Sequence, residues 1–248
     1  MIARLALHQL RYELRAFWRT PQALFFTFAL PVMMLIVFAT INGDERVSAF
    51  GGRRFVEYFV PGMLAFGAIS ATYGNLAART VYRRETGQLK RLRSTPLPTS
   101  SYLVGVVANA AAVSLAVSTT VVLVGWAFYD VAVPTAWPAL VGLLLIGAAS
   151  FAAMGLALST FIRQAEAADA TTFGTLLPVL FISGVFQVVP PASILGRIAG
   201  VFPVRHLLLP VLAIYGANPV QWRDVAVVVA WGTAAALVAA RRLRWTPR

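Results

Sequence analysis

The sequence predicts an all-α membrane protein. Six transmembrane helices follow an amphipathic N-terminal helix at the interface, and a re-entrant outer helical hairpin precedes the last span. Three observations carry this prediction. Of the 248 residues, 59% are apolar even without glycine, and mean hydropathy is +0.75, well above the balance of soluble domains. Only 12% are charged, too few to coat a soluble globule of this size. The apolar residues also gather into runs near the ~20 residues that a spanning helix needs. A water-soluble enzyme or binding domain is excluded.

The elements follow in order. In the first 19 residues Arg4, His8, Arg11, Arg15 and Arg19 fall within one helical arc of about 80°, with Ala3, Leu7, Leu10, Leu14 and Phe17 on another. Such a helix suits the membrane surface, and it is too long and too rich in arginine for a signal-peptide n-region. Gln22 to Ile41 is the first span, Tyr58 to Ala78 the second and Tyr102 to Phe128 the third. Pro138 to Phe161 is the fourth and Ala170 to Val189 the fifth. Val225 to Ala240 is short for a crossing, but Trp222 and Asp224 at one end and Arg241 and Arg242 at the other can anchor it. Between the last two, residues 190–222 hold five of the 14 prolines and two short apolar pieces, Ile198 to Phe202 and Leu207 to Tyr215. Neither can span, so both are expected to dip into the outer leaflet.

The net charge of +12 and pI near 11.3 would suggest nucleic acid in a soluble protein. In a bilayer they read as topology. With six spans, fifteen of the 21 basic residues lie on the side of the two termini, and six lie opposite: Arg46, Arg53, Arg54, Arg197, Arg205 and Arg223. By the positive-inside rule both termini are cytoplasmic. No nucleic-acid partner is needed; membrane lipids are.

Motifs for chemistry are missing. The single lysine, Lys90, follows Leu89, so no Walker A loop exists, and no two glycines are separated by one residue as a dinucleotide fingerprint requires. His8 and His206 fall on opposite faces, which argues against a metal site, and no catalytic triad is apparent. The six cores carry no ionisable side chain, which argues against a proton relay. Asn75, Asn109 and Gln187 read as glue between helices. The aromatic residues Phe66, Tyr73, Phe173, Phe181 and Phe186 are possible lining of a substrate path, or ordinary packing.

The inner loop, residues 79–101, is the informative stretch. On a helix from Tyr82 to Arg93, Tyr82, Glu85, Leu89 and Leu92 share a face, with Arg83, Arg84, Lys90 and Arg91 opposite. Pro96 and Pro98 end it. Such a surface fits docking into a groove on another protein, or contact with anionic head groups.

The run Glu85-Thr86-Gly87-Gln88-Leu89-Lys90-Arg91-Leu92-Arg93-Ser94-Thr95-Pro96-Leu97 resembles the signature of ABC-2 type permeases, membrane subunits of bacterial ABC exporters related to the daunorubicin-resistance type. Phe202-Pro203, His206-Leu207-Leu208 and Asn218-Pro219 resemble that family's last outer segment. The resemblance implies one transmembrane domain over 1–248 in a bacterial plasma membrane. Residues 1–20 would form the connecting helix and 79–101 the coupling loop. It implies two copies of a separate ATPase subunit that carry ATP and magnesium, so this chain has no catalysis and binds no cofactor itself. A second permease, identical or related, would complete the path. The docking residues implied are Arg11, Arg15, Arg19, Tyr82, Arg84, Glu85, Gly87, Leu89, Lys90, Arg91 and Leu92. Export of hydrophobic or amphipathic compounds, as in drug efflux, comes first, and of a lipid or lipid-linked glycan second. A stand-alone channel or secondary carrier is the remoter reading.

Overall fold

A computed structural model describes residues 2–94 and 98–242. The chain is helical almost throughout, apart from a two-stranded antiparallel ribbon, β1 (Arg46–Val47) and β2 (Arg53–Arg54), that the all-α reading missed. Its turn needs Gly51 and Gly52 at φ 68° and 74°, where a side chain would be strained.

α1 (Ile2–Trp18) leads through the short α2 (Pro21–Leu24) and a π-helical turn, Phe25–Ala29, into α3 (Leu30–Asn42). Pro31 explains the widened turn: it has no N–H for Thr27, and its ring crowds that carbonyl. The second span is longer than the apolar run suggested. α4 (Phe55–Ile69), a second π turn (Ser70–Gly74) and α5 (Asn75–Glu85) make one run of 31 residues. α6 (Gln88–Arg93), α7 (Thr99–Tyr129), α8 (Trp137–Ser159) and α9 (Ala168–Ser183) follow, then α10 (Ile194–Ala199), α11 (Pro203–Tyr215) and α12 (Trp222–Arg242).

Among the described residues, five helical runs are long and apolar enough to cross a membrane: Phe25–Asn42, Phe55–Glu85, Ser100–Tyr129, Trp137–Ser159 and Trp222–Arg242. The fifth expected span stops early. α9 has 16 residues, about 24 Å at 1.5 Å each, against a hydrocarbon core of ~30 Å. Gly184 ends it by adopting φ 90°, and the Val185 N–H turns back to the Leu180 carbonyl, a glycine-dependent helix stop. Conversely, α12 recruits Trp222, Asp224, Arg241 and Arg242 into the helix, so the short apolar run becomes a 21-residue element.

The core is built on α4. Phe59, Met63, Leu64, Phe66 and Ile69 are fully enclosed, packed by α3, α7, α8 and α11. In the apolar window of Phe55–Glu85, 89% of residues are buried, against 22% for Phe25–Asn42 and 28% for Trp222–Arg242. The second run is therefore the axis, while the first and last leave apolar faces open.

Close helix approach relies on small residues. A Cβ at Gly232 of α12 would lie 2.6 Å from the Ser150 Cβ on α8, and one at Gly155 would lie 2.7 Å from the Tyr73 carbonyl oxygen. Gly232→Leu is therefore expected to destabilise the protein by about 1–3 kcal/mol through overpacking, read as a lower unfolding midpoint in detergent. An unchanged midpoint would remove this contact from the account.

Contacts sort the helix ends into two groups. Arg83 of α5 reaches Glu13 of α1 and Tyr102 of α7; Arg84 reaches Ser159, the last residue of α8, and Ile162 just after it; Arg242 of α12 lies over the Phe161 ring. At the opposite end Arg54 bonds the Asp130 carbonyl, Tyr58 donates to Gly184 and Gln187, and the His206 ring pairs with Asp224. That histidine is 2.6 Å from Asp224 and 2.8 Å from the Gly200 carbonyl, so it ties α10, α11 and α12 into one cap at that end.

Candidate functional site: a charged cleft between α1, α5 and α9

α1 does more than lie on a surface. Its buried face is Gln9, Glu13 and Phe17, spaced four apart and turned roughly 80° from the centre of the apolar arc. Leu7, in that arc, is half exposed. The helix turns because Glu13 has partners inside. Arg83 of α5 donates both terminal nitrogens to its two oxygens at 2.7 Å each, and Gln9 Nε2 donates to Oε1 at 2.8 Å. Arg83 also reaches the Tyr102 hydroxyl of α7 at 3.2 Å. Below it Phe17 packs on Ala71, Val113 and Val117. A bidentate pair of this kind is strong and directional, and it clasps the N-terminal helix to the stem of the 79–101 loop.

Arg79, one turn before Arg83 on α5, stands 3.9 Å from Glu13 Oε2, beyond hydrogen-bond range. It forms one wall of a cavity of about 600 Å³. The remaining walls come from α1 (Tyr12, Ala16), the first π turn (Phe26), the second π turn and α5 (Ser70, Gly74, Asn75, Ala78, Tyr82), and α9 (Ala168, Asp169, Phe173). The two π turns are latched together by Asn75 Nδ2, which donates to Thr27 Oγ1 at 2.6 Å and to the Ser70 carbonyl at 3.3 Å. The reading of Asn75 as glue between helices thus acquires a partner, Thr27.

The inner loop departs from the expected continuous helix. α5 ends at Glu85, Gly87 adopts φ 70°, and α6 starts at Gln88 in a new direction. Glycine tolerates that conformation at little cost, so the shared face from Tyr82 to Leu92 does not form. Tyr82, Glu85, Lys90 and Arg91 are exposed, Leu92 is half-buried, and Gly87 makes the corner. Leu89 is enclosed by Leu76, Tyr102 and Val106. Arg84 is also interior: it donates to the Ser159 carbonyl at 2.9 Å and to the Ile162 carbonyl, occupying acceptors that the end of α8 leaves open. Arg11, Arg15 and Arg19 are exposed on α1. Pro96, expected to end the loop helix, lies outside the described residues, as do Arg244, Arg248 and the side chain of Arg4.

Of the five aromatic residues, Phe173 is on the cleft wall and packs against Phe26 with ring centroids 5.1 Å apart. Tyr73 shares a hydrogen bond of 2.9 Å with Thr175 of α9. Phe66 is enclosed and meets Phe186 at 5.5 Å, and Phe181 meets Phe186 at 4.7 Å. These three form a separate cluster beside α9. Among the described residues no group of three or more histidines and carboxylates gathers to hold a metal.

The comparison with known proteins decides the family. The model of the ABC-2 type transporter family matches residues 7–215, most of the chain. The chain belongs to the ABC-2 type transporter family. The match runs from α1 through both π turns, the cleft and the Gly87 corner to the end of α11. Over 163 residues the chain is 23% identical to the inner membrane transport permease YadH of Escherichia coli strain K12, and equally to those of E. coli O157:H7 and Shigella flexneri. The alignment takes in 64% of this chain and 63% of each relative, so the chain spans less than two thirds of the curated relatives it matches. An ABC-2 permease is a membrane transport subunit, and the apolar runs described above make this one an integral membrane protein.

Proposed function

We propose that this permease is the membrane-spanning part of an ATP-driven exporter that moves hydrophobic or amphipathic compounds out of the cytoplasm. Drug or antibiotic efflux is the leading reading. Six crossings, α9 completed by residues 184–189, put both termini and the basic helix ends on the cytoplasmic side. A separate ATPase, in two copies, binds ATP and magnesium and docks there. A second permease, identical or related, lies against the open apolar faces of the first and last spans.

One observation carries this reading. At a single end of the molecule, the exposed basic face of α1 and the exposed α5–α6 corner are joined through the Glu13–Arg83 clasp. A load applied to Tyr82, Glu85, Lys90 or Arg91 reaches α5 directly and α1 through the clasp. Both elements line the cleft, so displacing them changes its width. The π turns, latched by Asn75 and Thr27, are the places in those spans where the helical ladder is already widened. Arg84 and Leu89 act in this scheme as internal struts that hold the corner, and Gly87 shapes it. Phe173 and Phe26 give the path its apolar wall.

The test is transport in inverted vesicles holding the permease and its ATPase, with a fluorescent hydrophobic dye. Uptake should require ATP and both subunits. Uptake by the permease alone, without nucleotide, would favour a stand-alone channel or carrier instead.

A further inference from the structure

The cleft has the composition of a binding site for an anion with an apolar body. Two guanidinium groups, Arg79 and Arg83, face one carboxylate, Glu13, and Arg83 takes both its oxygens at 2.7 Å. Arg79 is left at 3.9 Å from Oε2. The trio therefore carries one positive charge in excess, set on the cavity wall by a side chain only 21% exposed. A partly buried cation whose nearest carboxylate lies at 3.9 Å and is already engaged by Arg83 is under-compensated, and an anion delivered from outside relieves that cost. Tyr12 and Tyr82 line the same cavity.

Part of the remaining wall is apolar, beside the polar Thr20, Ser70, Asn75 and Gln88. Phe26 and Phe173 pack together and, with Ala16, Ala23 and Ala78, give the cavity that Arg79 lines an apolar surface. Asp169, exposed in the first turn of α9, is the acid that lines the cavity itself, and it keeps a negative head group off its own wall and toward Arg79. The cavity volume of about 600 Å³ is in the range of pockets that hold a small molecule, ~300–1,000 Å³.

We infer that this cleft binds an anionic amphiphile, with its phosphate or carboxylate head on Arg79 and its apolar part on Phe26 and Phe173. The compound is either a membrane lipid or a soluble cargo; the head-and-tail chemistry is common to both. The inference refines the substrate class of the proposed exporter and rests on that reading for its biological sense.

The experiment measures the unfolding midpoint of the purified permease in phosphatidylcholine nanodiscs, without ATPase or nucleotide, as monododecyl phosphate is titrated. A ligand that binds the folded state raises the midpoint in a saturable way. Arg79→Gln should need about tenfold more compound for the same shift, the scale of one charge-assisted hydrogen bond. Arg79→Lys should retain most of the response, and the exposed control Arg163→Gln all of it. Inorganic phosphate at the same concentration should give no shift. Discs that include phosphatidic acid and start at the raised midpoint identify lipid as the source; a response only to added compound identifies cargo. Wild type and Arg79→Gln responding within twofold of each other would overturn the inference. So would inorganic phosphate matching the alkyl phosphate, since no tail would then be read. Because no ATPase is present, either result leaves the export reading to its own test.

Discussion

Replacing Glu13 by alanine is expected to lower stability by about 3–5 kcal/mol, the cost of removing one partner from a buried ion pair. The carboxylate is almost fully enclosed, and its loss strands Arg83, which is 13% exposed, together with Arg79. Gln9 loses its acceptor as well. The measurement is the unfolding midpoint in detergent, together with proteolysis of α1. Glu13→Ala should free the N-terminal helix for cleavage while the rest of the chain resists. The double variant Glu13→Leu with Arg83→Leu should recover part of the loss, since both charges leave together and apolar packing takes their place. A wild-type midpoint in Glu13→Ala would mean that α1 is held by Phe17 and the lipid surface alone.

Charge reversal at Glu85 is expected to act in the opposite way, on function without stability. The side chain is exposed at the last residue of α5, next to the Gly87 corner. Glu85→Lys should fold with an unchanged midpoint, yet bind the ATPase at least about tenfold more weakly, because a charge placed against its own sign at an interface is strongly disfavoured. ATP-dependent dye uptake should fall with it. The comparison between the two variants separates a clasp inside the permease from a contact outside it. Glu85→Lys with full assembly and full uptake would remove this corner from the docking surface.

The two carboxylates differ in how far they could be read from the chain alone. Glu85 stands in a run that resembles a known signature, so its neighbourhood was marked by local sequence. Glu13 is the only acid among the first 43 residues, in a helix otherwise basic, and that isolation was a signal. Its partner is 70 positions away, a separation that no periodicity reports. The spans were legible for a simple reason: a bilayer demands long apolar runs, and these leave a strong pattern. Their ends were less so. Gly184 and Gly87 stop helices by adopting positive φ, whereas the apolar pattern continues past the first and the amphipathic pattern past the second. Arg84 shows the same limit from another side. A helical wheel marks it as polar and outward, but open carbonyls at the end of α8 draw it inward. The cleft itself was invisible, because it depends on two π turns that bring Thr27 and Asn75 together.

The central claim is that energy reaches this permease from an ATPase seated on the α5–α6 corner. The chain has no cysteine, so one introduced residue gives one unambiguous cross-linking site. Glu85→Cys and Ser193→Cys, at opposite ends of the molecule, can each be treated with a short thiol-to-amine cross-linker in membranes containing the ATPase. A permease–ATPase product is expected from Glu85→Cys, altered in yield by ATP, and none from Ser193→Cys. A product from Ser193→Cys and none from Glu85→Cys would contradict it.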